Sequence, residues 1–202
     1  TPDELIAHAA DVIGREAEAV HRLAADLDER LGDVVSALLH CQGHVLVTGA
    51  GTSRAIAERL AHLLSCCGTP ALFLSASDGL HGGAGAITAR DVVYVISKGG
   101  QSADINKLVE IAHARGAMVI AQTEKPDSPL GKMSDLVLRL HDIGREDPFG
   151  YIATSSSLVN AAMGDVLCVL LLEARGYTLE AFGQTHPEGA VGRSLETERP
   201  KL

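Results

Sequence analysis

The chain has no tryptophan and few other aromatics, three Tyr and three Phe among 202 residues. That scarcity argues against a β-sandwich core, whereas the abundant Ala, Leu, Val and Gly suit helices packed closely on a sheet. Basic residues are also few. Asp and Glu outnumber Lys and Arg by 26 to 17, the formal charge is −9, and no basic cluster could track a phosphodiester backbone, so nucleic acid is not expected as a partner. Long apolar runs are missing. Stretches such as residues 166–172 fall short of the ~20 residues that span a bilayer, and charges run through the amino-terminal segment. No membrane partner, anchor or export segment is expected, and a cytoplasmic location is. The four cysteines, Cys41, Cys66, Cys67 and Cys168, lack metal-ligand spacing, and Cys66 and Cys67 sit in a helical, apolar pattern. They read as free, mostly buried thiols, and neither metal nor cofactor is called for.

What is present has the length of one α/β domain over residues 1–202. Leu5, Ile6, Ala9, Ile13, Ala17, Val20 and Leu23 recur at helical steps, forming a stripe for packing against a sheet or another subunit. A second helix is predicted over residues 31–39, so helices occupy residues 1–43 and the sheet core with its later helices residues 44–195. Short aliphatic or β-branched runs at 44–48, 71–74, 91–97, 117–122 and 136–140 read as buried parallel strands. Helices are predicted between and after them at 53–67, 102–115, 128–133 and 155–175. The alternation predicts a doubly wound parallel sheet, in which ligands bind beyond the carboxyl ends of the strands.

Three strand exits carry chemistry. The first strand runs into Gly49-Ala50-Gly51-Thr52-Ser53, where small residues let backbone amides approach an anion at a helix amino terminus. The third ends in Ser97-Lys98-Gly99-Gly100-Gln101-Ser102, and Thr154-Ser155-Ser156-Ser157 opens the last long helix. Each alone is equally a tight turn or a hydroxyl-rich cap with no ligand. Together they point to a phosphate-bearing ligand, with Gly49, Gly51, Thr52, Ser53, Ser97, Gly99, Gln101, Ser102, Thr154 and Ser155 as the candidate binding residues.

From Val45 to Leu195 the chain resembles the sugar isomerase (SIS) domain family, closest to its arabinose-5-phosphate isomerase subgroup. The segments that carry the resemblance are Gly68-Thr69-Pro70 through Leu80-His81-Gly82 to Asp91-Val92-Val93, Thr154-Ser155-Ser156 through Gly164-Asp165 to Ala174-Arg175-Gly176-Tyr177-Thr178, and His186-Pro187-Glu188-Gly189-Ala190-Val191-Gly192-Arg193. The resemblance implies a five-stranded sheet of flavodoxin-like order, a dimer of dimers with sites at subunit boundaries, and cofactor-free aldose–ketose isomerisation of a sugar phosphate.

That reaction needs a base beside the carbonyl carbon, stabilisation of an enediol(ate), and return of the proton at the neighbouring carbon. The resemblance implies His186, His81 and Glu146 as catalytic residues, an unperturbed imidazole titrating near neutral pH. Structural alternatives stand beside each: His186 as a hinge before Pro187, His81 as a partner for loop backbone, and Glu146 as a solvated loop acid. The chain departs from the subgroup where a site lysine is replaced by Thr52, an acid by Gln101, the second serine of the third-strand turn by Gly99, and an aspartate after the His-Gly pair by Gly83. Gln101 can donate a hydrogen bond but cannot act as a base. Lys98 and Arg54 are the cations that could restore charge. The main expectation is an isomerase. The alternative is a non-catalytic sugar-phosphate sensor, although residues 1–43 show no helix-turn-helix arm. The tandem carboxy-terminal domains that many of these isomerases carry are not expected within these residues either.

Overall fold

A computed structural model describes residues 1–141, 149–188 and Gly192. The five predicted runs form one parallel sheet of order β2-β1-β3-β4-β5, built from β1 (Val45–Gly49), β2 (Ala71–Phe73), β3 (Val92–Ile96), β4 (Met118–Thr123) and β5 (Leu136–Arg139). This is the flavodoxin-like order. Strand boundaries agree with the sequence reading to within a residue or two.

Helices cover both faces, and the strand side chains divide between them with a period of two. Val45, Val47, Tyr94, Ile96 and Ile120 face one apolar cluster, while Leu46, Val93, Val95, Val119 and Ala121 face the other. The first cluster is closed by α1 (Pro2–Ala25), α2 (Arg30–Leu39), α3 (Thr52–Cys66) and α7 (Ser155–Arg175). The second is closed by α4 (Ala76–Leu80), a 3₁₀ turn at Gly83–Ala86, α5 (Ala103–Ala114) and α6 (Pro129–Met133), and α8 (Leu179–Thr185) follows α7. Helix α7 is, among the described residues, the one helix long and apolar enough to cross a bilayer, which the length of its apolar runs did not suggest. Half of that apolar stretch is buried, with Val159, Met163, Leu167 and Leu171 in the core beside α1, α2 and α3.

The amino-terminal edge of the sheet is tied down by polar side chains. Asp91 is 6% exposed and accepts hydrogen bonds from His44 N (2.7 Å), Thr88 N (2.7 Å) and Thr88 Oγ1 (2.8 Å). Arg175, at the end of α7, donates to Thr69 Oγ1 (2.9 Å) and Leu38 O (3.1 Å), and the Tyr177 ring fills the space a Cβ at Gly68 would need. Helix α7 therefore runs from the carboxyl edge of the sheet back to its amino edge. The stripe on α1 is buried only toward its end, fully at Leu23 and partly at Val20, with Ala19 buried beside it, while Leu5, Ile6 and Ile13 are exposed.

Candidate functional site

Strands β1 and β3 are neighbours whose helices lie on opposite faces of the sheet, so a crevice opens beyond their carboxyl ends. It has a volume of about 40 Å³ and is lined by Thr52, Ser53 and Ile56 of α3, Lys98 after β3, and Ala153, Ser156, Ser157 and Asn160 at the start of α7. A water needs about 10–15 Å³, so this is room for a group of a few oxygens. Gly49 lets the chain turn into α3, since a Cβ there would sit 2.7 Å from Ser53 O. Gly51 makes the turn at φ +58°, a region L side chains rarely enter.

The helix starts divide into two kinds. Among helices that follow strands, α4 and α6 are closed by their own serines, Ser75 accepting from Asp78 N and Ser128 from Gly131 N. By contrast α3, α5 and α7 begin without a side-chain cap. First-turn N–H groups have no intrahelical partner, so these starts keep amide donors and the positive end of the helix dipole available to an anion. Two of them, α3 and α7, meet at the crevice. The hydroxyl oxygens of Thr48, Thr154 and Ser155 are buried without a partner, Ser155 being only 2% exposed.

A buried polar chain fixes the first turn of α7. Tyr94 Oη donates to Gln122 Oε1 (2.6 Å), Gln122 Nε2 to Asn160 Oδ1 (2.6 Å), and Asn160 Nδ2 to Ser156 O (2.7 Å). Burial pushes the Tyr94 phenol well above its ordinary value, so it stays a neutral donor. Burial likewise pushes the Cys168 thiol up to about 12, and the Cys67 thiol upward, so neither serves as a thiolate nucleophile. All four cysteines are free thiols.

The sequence candidates are distributed unevenly around this site. Thr52 and Ser53 line the crevice, and Thr154 and Ser155 begin the helix that closes it. Ser97 is buried and accepts from Gly100 N (3.2 Å), so its oxygen shapes the turn. Gly99 and Gln101 are exposed and Ser102 starts α5, just beyond the crevice lining. His81 is exposed at the end of α4, after β2. Glu146 lies outside the described residues, as do Gly189, Ala190, Val191 and Arg193 of the tail motif. Arg54 is occupied, paired with Glu58 (2.8 Å) and set over the Phe73 ring.

His186 is not brought to the crevice within one chain. It follows α8, stacked on Phe182, and Nδ1 lies 3.0 Å from both Thr185 Oγ1 and Phe182 O. Helix α7 carries the chain ~30 Å from the crevice to the amino edge, and the seven residues of α8 span only ~10 Å, too short to return. Asn160, Gln122 and Glu124 escaped the sequence reading. Their signal was a polar residue inside an otherwise apolar helix or at the end of a buried strand.

A larger groove of about 580 Å³ lies at the opposite edge, lined by Asp33, Ser36, His40, Arg90 and others. Helix α2 ends there at His40, presenting the negative end of its dipole, and Arg90 is bound to Gln42 O (2.8 Å). That groove does not suit an anion.

Comparison with known proteins agrees with the fold and with the family that the sequence resembles. The SIS domain family model matches residues 38–178. Arabinose 5-phosphate isomerase KdsD of Pseudomonas aeruginosa is 37% identical over 193 residues, 95% of this chain and 59% of the relative. Arabinose 5-phosphate isomerase GutQ of Salmonella typhi is 37% identical over 177 residues, 85% of this chain and 55% of the relative. The chain thus spans little more than half the length of these curated relatives. Two solved structures are matched nearly end to end. A candidate sugar-phosphate isomerase from Listeria monocytogenes has TM-score 0.90 and 32% identity, covering 93% of this chain and 99% of its own. An Escherichia coli CFT073 protein in complex with arabinose 5-phosphate has TM-score 0.90 and 28% identity, covering 93% and 100%. With the family model spanning most of the chain and a relative of nearly its own length at 32% identity, this chain belongs to the SIS domain family.

Proposed function

We propose that the chain interconverts an aldose phosphate and a ketose phosphate, with arabinose 5-phosphate as the leading substrate, through an enediol intermediate and without a cofactor. The observation that carries the reading is the meeting of two uncapped helix starts, α3 and α7, at a small crevice lined by hydroxyls and one lysine. The kinship with arabinose 5-phosphate isomerases and with a protein in complex with that sugar phosphate supports the substrate class.

In this reading Ser53, Ser156 and the α3 and α7 amides hold the phosphate, and the sugar carbons extend from it toward His81 at the β2 side. His81, Glu146 and His186 share proton removal and return at the two carbons beside the carbonyl oxygen. Because α8 is too short to bring His186 back to its own crevice, the histidine acts in the site of a second copy. The exposed apolar stretch of α1, at Leu5, Ile6 and Ile13, supports a homo-oligomer, and the free thiols suit the reducing conditions of a cytoplasm.

The test is incubation with pentose and hexose phosphates in deuterated water. Label at the carbon beside the carbonyl is the expected result. Binding without label across the panel would instead favour the sensor reading, and neither binding nor label would remove both.

A further inference from the structure

Lys98 is the one charged residue among the described residues that line the crevice, and its surroundings hold it there from two directions. Its carbonyl accepts hydrogen bonds from Glu124 N (3.1 Å) and Thr123 Oγ1 (3.1 Å), which pin the turn after β3 to the end of β4. Its ammonium Nζ lies 3.7 Å from Glu124 Oε1. The two partners differ in burial. The Glu124 side chain is 3% exposed while that of Lys98 is 42% exposed, so the pair has a sunken anion and a cation reaching toward solvent.

We propose that Lys98 is the phosphate-binding cation of this site and that Glu124 is a positioning residue that keeps the ammonium at the crevice mouth; this rests on the assignment of the crevice to a phosphorylated ligand. A carboxylate buried in a low-dielectric setting holds a nearby cation strongly, which restrains a side chain that would otherwise sample many rotamers. The separation of 3.7 Å is longer than a hydrogen bond, and an ammonium carries three donors, so Lys98 can meet a phosphate oxygen while still facing Glu124. Lys98 also separates the buried carboxylate from the incoming dianion, which the two like charges require. The other nearby cation, Arg54, is already held by Glu58 and the Phe73 ring. Positive charge therefore reaches the crevice from β3, on the side opposite the Gly-rich turn of β1.

The test is calorimetric titration with inorganic phosphate and with arabinose 5-phosphate. Lys98→Met is the direct variant, and Lys98→Met with Glu124→Gln removes both charges so that no carboxylate is left buried without its lysine. Both variants should lose about 10- to 100-fold in affinity for each probe, the scale of one hydrogen bond to a charged group. Lys98→Arg should recover much of it. Lys107→Met, which breaks an exposed pair with Glu110 on α5, should leave affinity unchanged. If the wild type binds both probes and the double variant binds them equally well, Lys98 is only the structural partner of Glu124 and the proposal is overturned while the function stands. If the wild type binds neither probe, the function falls and the proposal with it.

Discussion

The two edges of the sheet are built on opposite terms. At the amino edge Asp91 accepts three hydrogen bonds, Arg175 joins the segments before β1 and β2, and Arg115 donates to Gly85 O (2.9 Å). At the carboxyl edge three helices start uncapped and the hydroxyls of Thr48, Thr154 and Ser155 are buried with no partner. An unmade hydrogen bond at a buried polar group costs about 1–3 kcal/mol, so this contrast is a difference in stability as well as in shape. One edge satisfies its own polar groups, and the other leaves several of them without a partner within the described residues. Activity and stability should therefore respond oppositely to substitutions at the two edges.

The largest expected effect comes from Ser53→Asp. An acid in the first turn of α3 suits the helix dipole and leaves the fold intact, yet it sets a negative charge in the crevice proposed to hold the phosphate. Affinity for inorganic phosphate should fall by about 4 kcal/mol, on the order of 1,000-fold, with no loss of thermal stability. Unaltered affinity would move the anion elsewhere. Asp91→Ala should do the reverse, costing about 3 kcal/mol in urea unfolding by stranding its donors, while the affinity of the folded protein is unchanged. A parallel loss of affinity would break the separation of the two edges. Ser155→Ala removes a buried hydroxyl that has no partner, so it should raise stability by about 1 kcal/mol and weaken phosphate binding. Lower stability would mean that the hydroxyl is satisfied within the protein.

The smallest effect is one of pH. Burial works against the Asp91 carboxylate, but the hydrogen bonds from His44 and Thr88 outweigh it and hold its pKa below the ordinary 3.8. A lowered folded-state value contributes stability above the unfolded value, which is lost as pH falls through the folded one. The unfolding midpoint should therefore drop as pH is lowered below 3.8, and Asp91→Asn should flatten that drop. An identical acid profile in the variant would count against the Asp91 clamp.

The three central strands, β1, β3 and β4, were legible because each is buried on both faces and so reads as a short apolar run, whereas the edge strands β2 and β5, with Leu72 and Arg139 exposed, were legible as short aliphatic runs between turns and helices. The segment from Ala76 to Ala86 was not, since α4 and the 3₁₀ turn that follows it are too short for any period to register. Helix α8 was missed for the same reason. At the site, the turn Gly49 to Ser53 was readable as local chemistry, whereas the Lys98–Glu124 pair depends on β3 and β4 lying side by side. Their register sets Ile96 against Gln122, which brings the residues two places on from each into contact. No local pattern encodes that pairing. His186 shows the converse, a motif visible in sequence whose histidine does not line the crevice of its own chain.

The most direct measurement is backbone hydrogen–deuterium exchange with and without arabinose 5-phosphate. Exchange should slow in residues 51–54, 98–102 and 154–157 when the sugar phosphate binds, with residues 88–91 at the amino edge unchanged. Slowing confined to the amino-edge groove around His40 and Arg90, or to neither edge, would contradict a ligand site at the carboxyl edge.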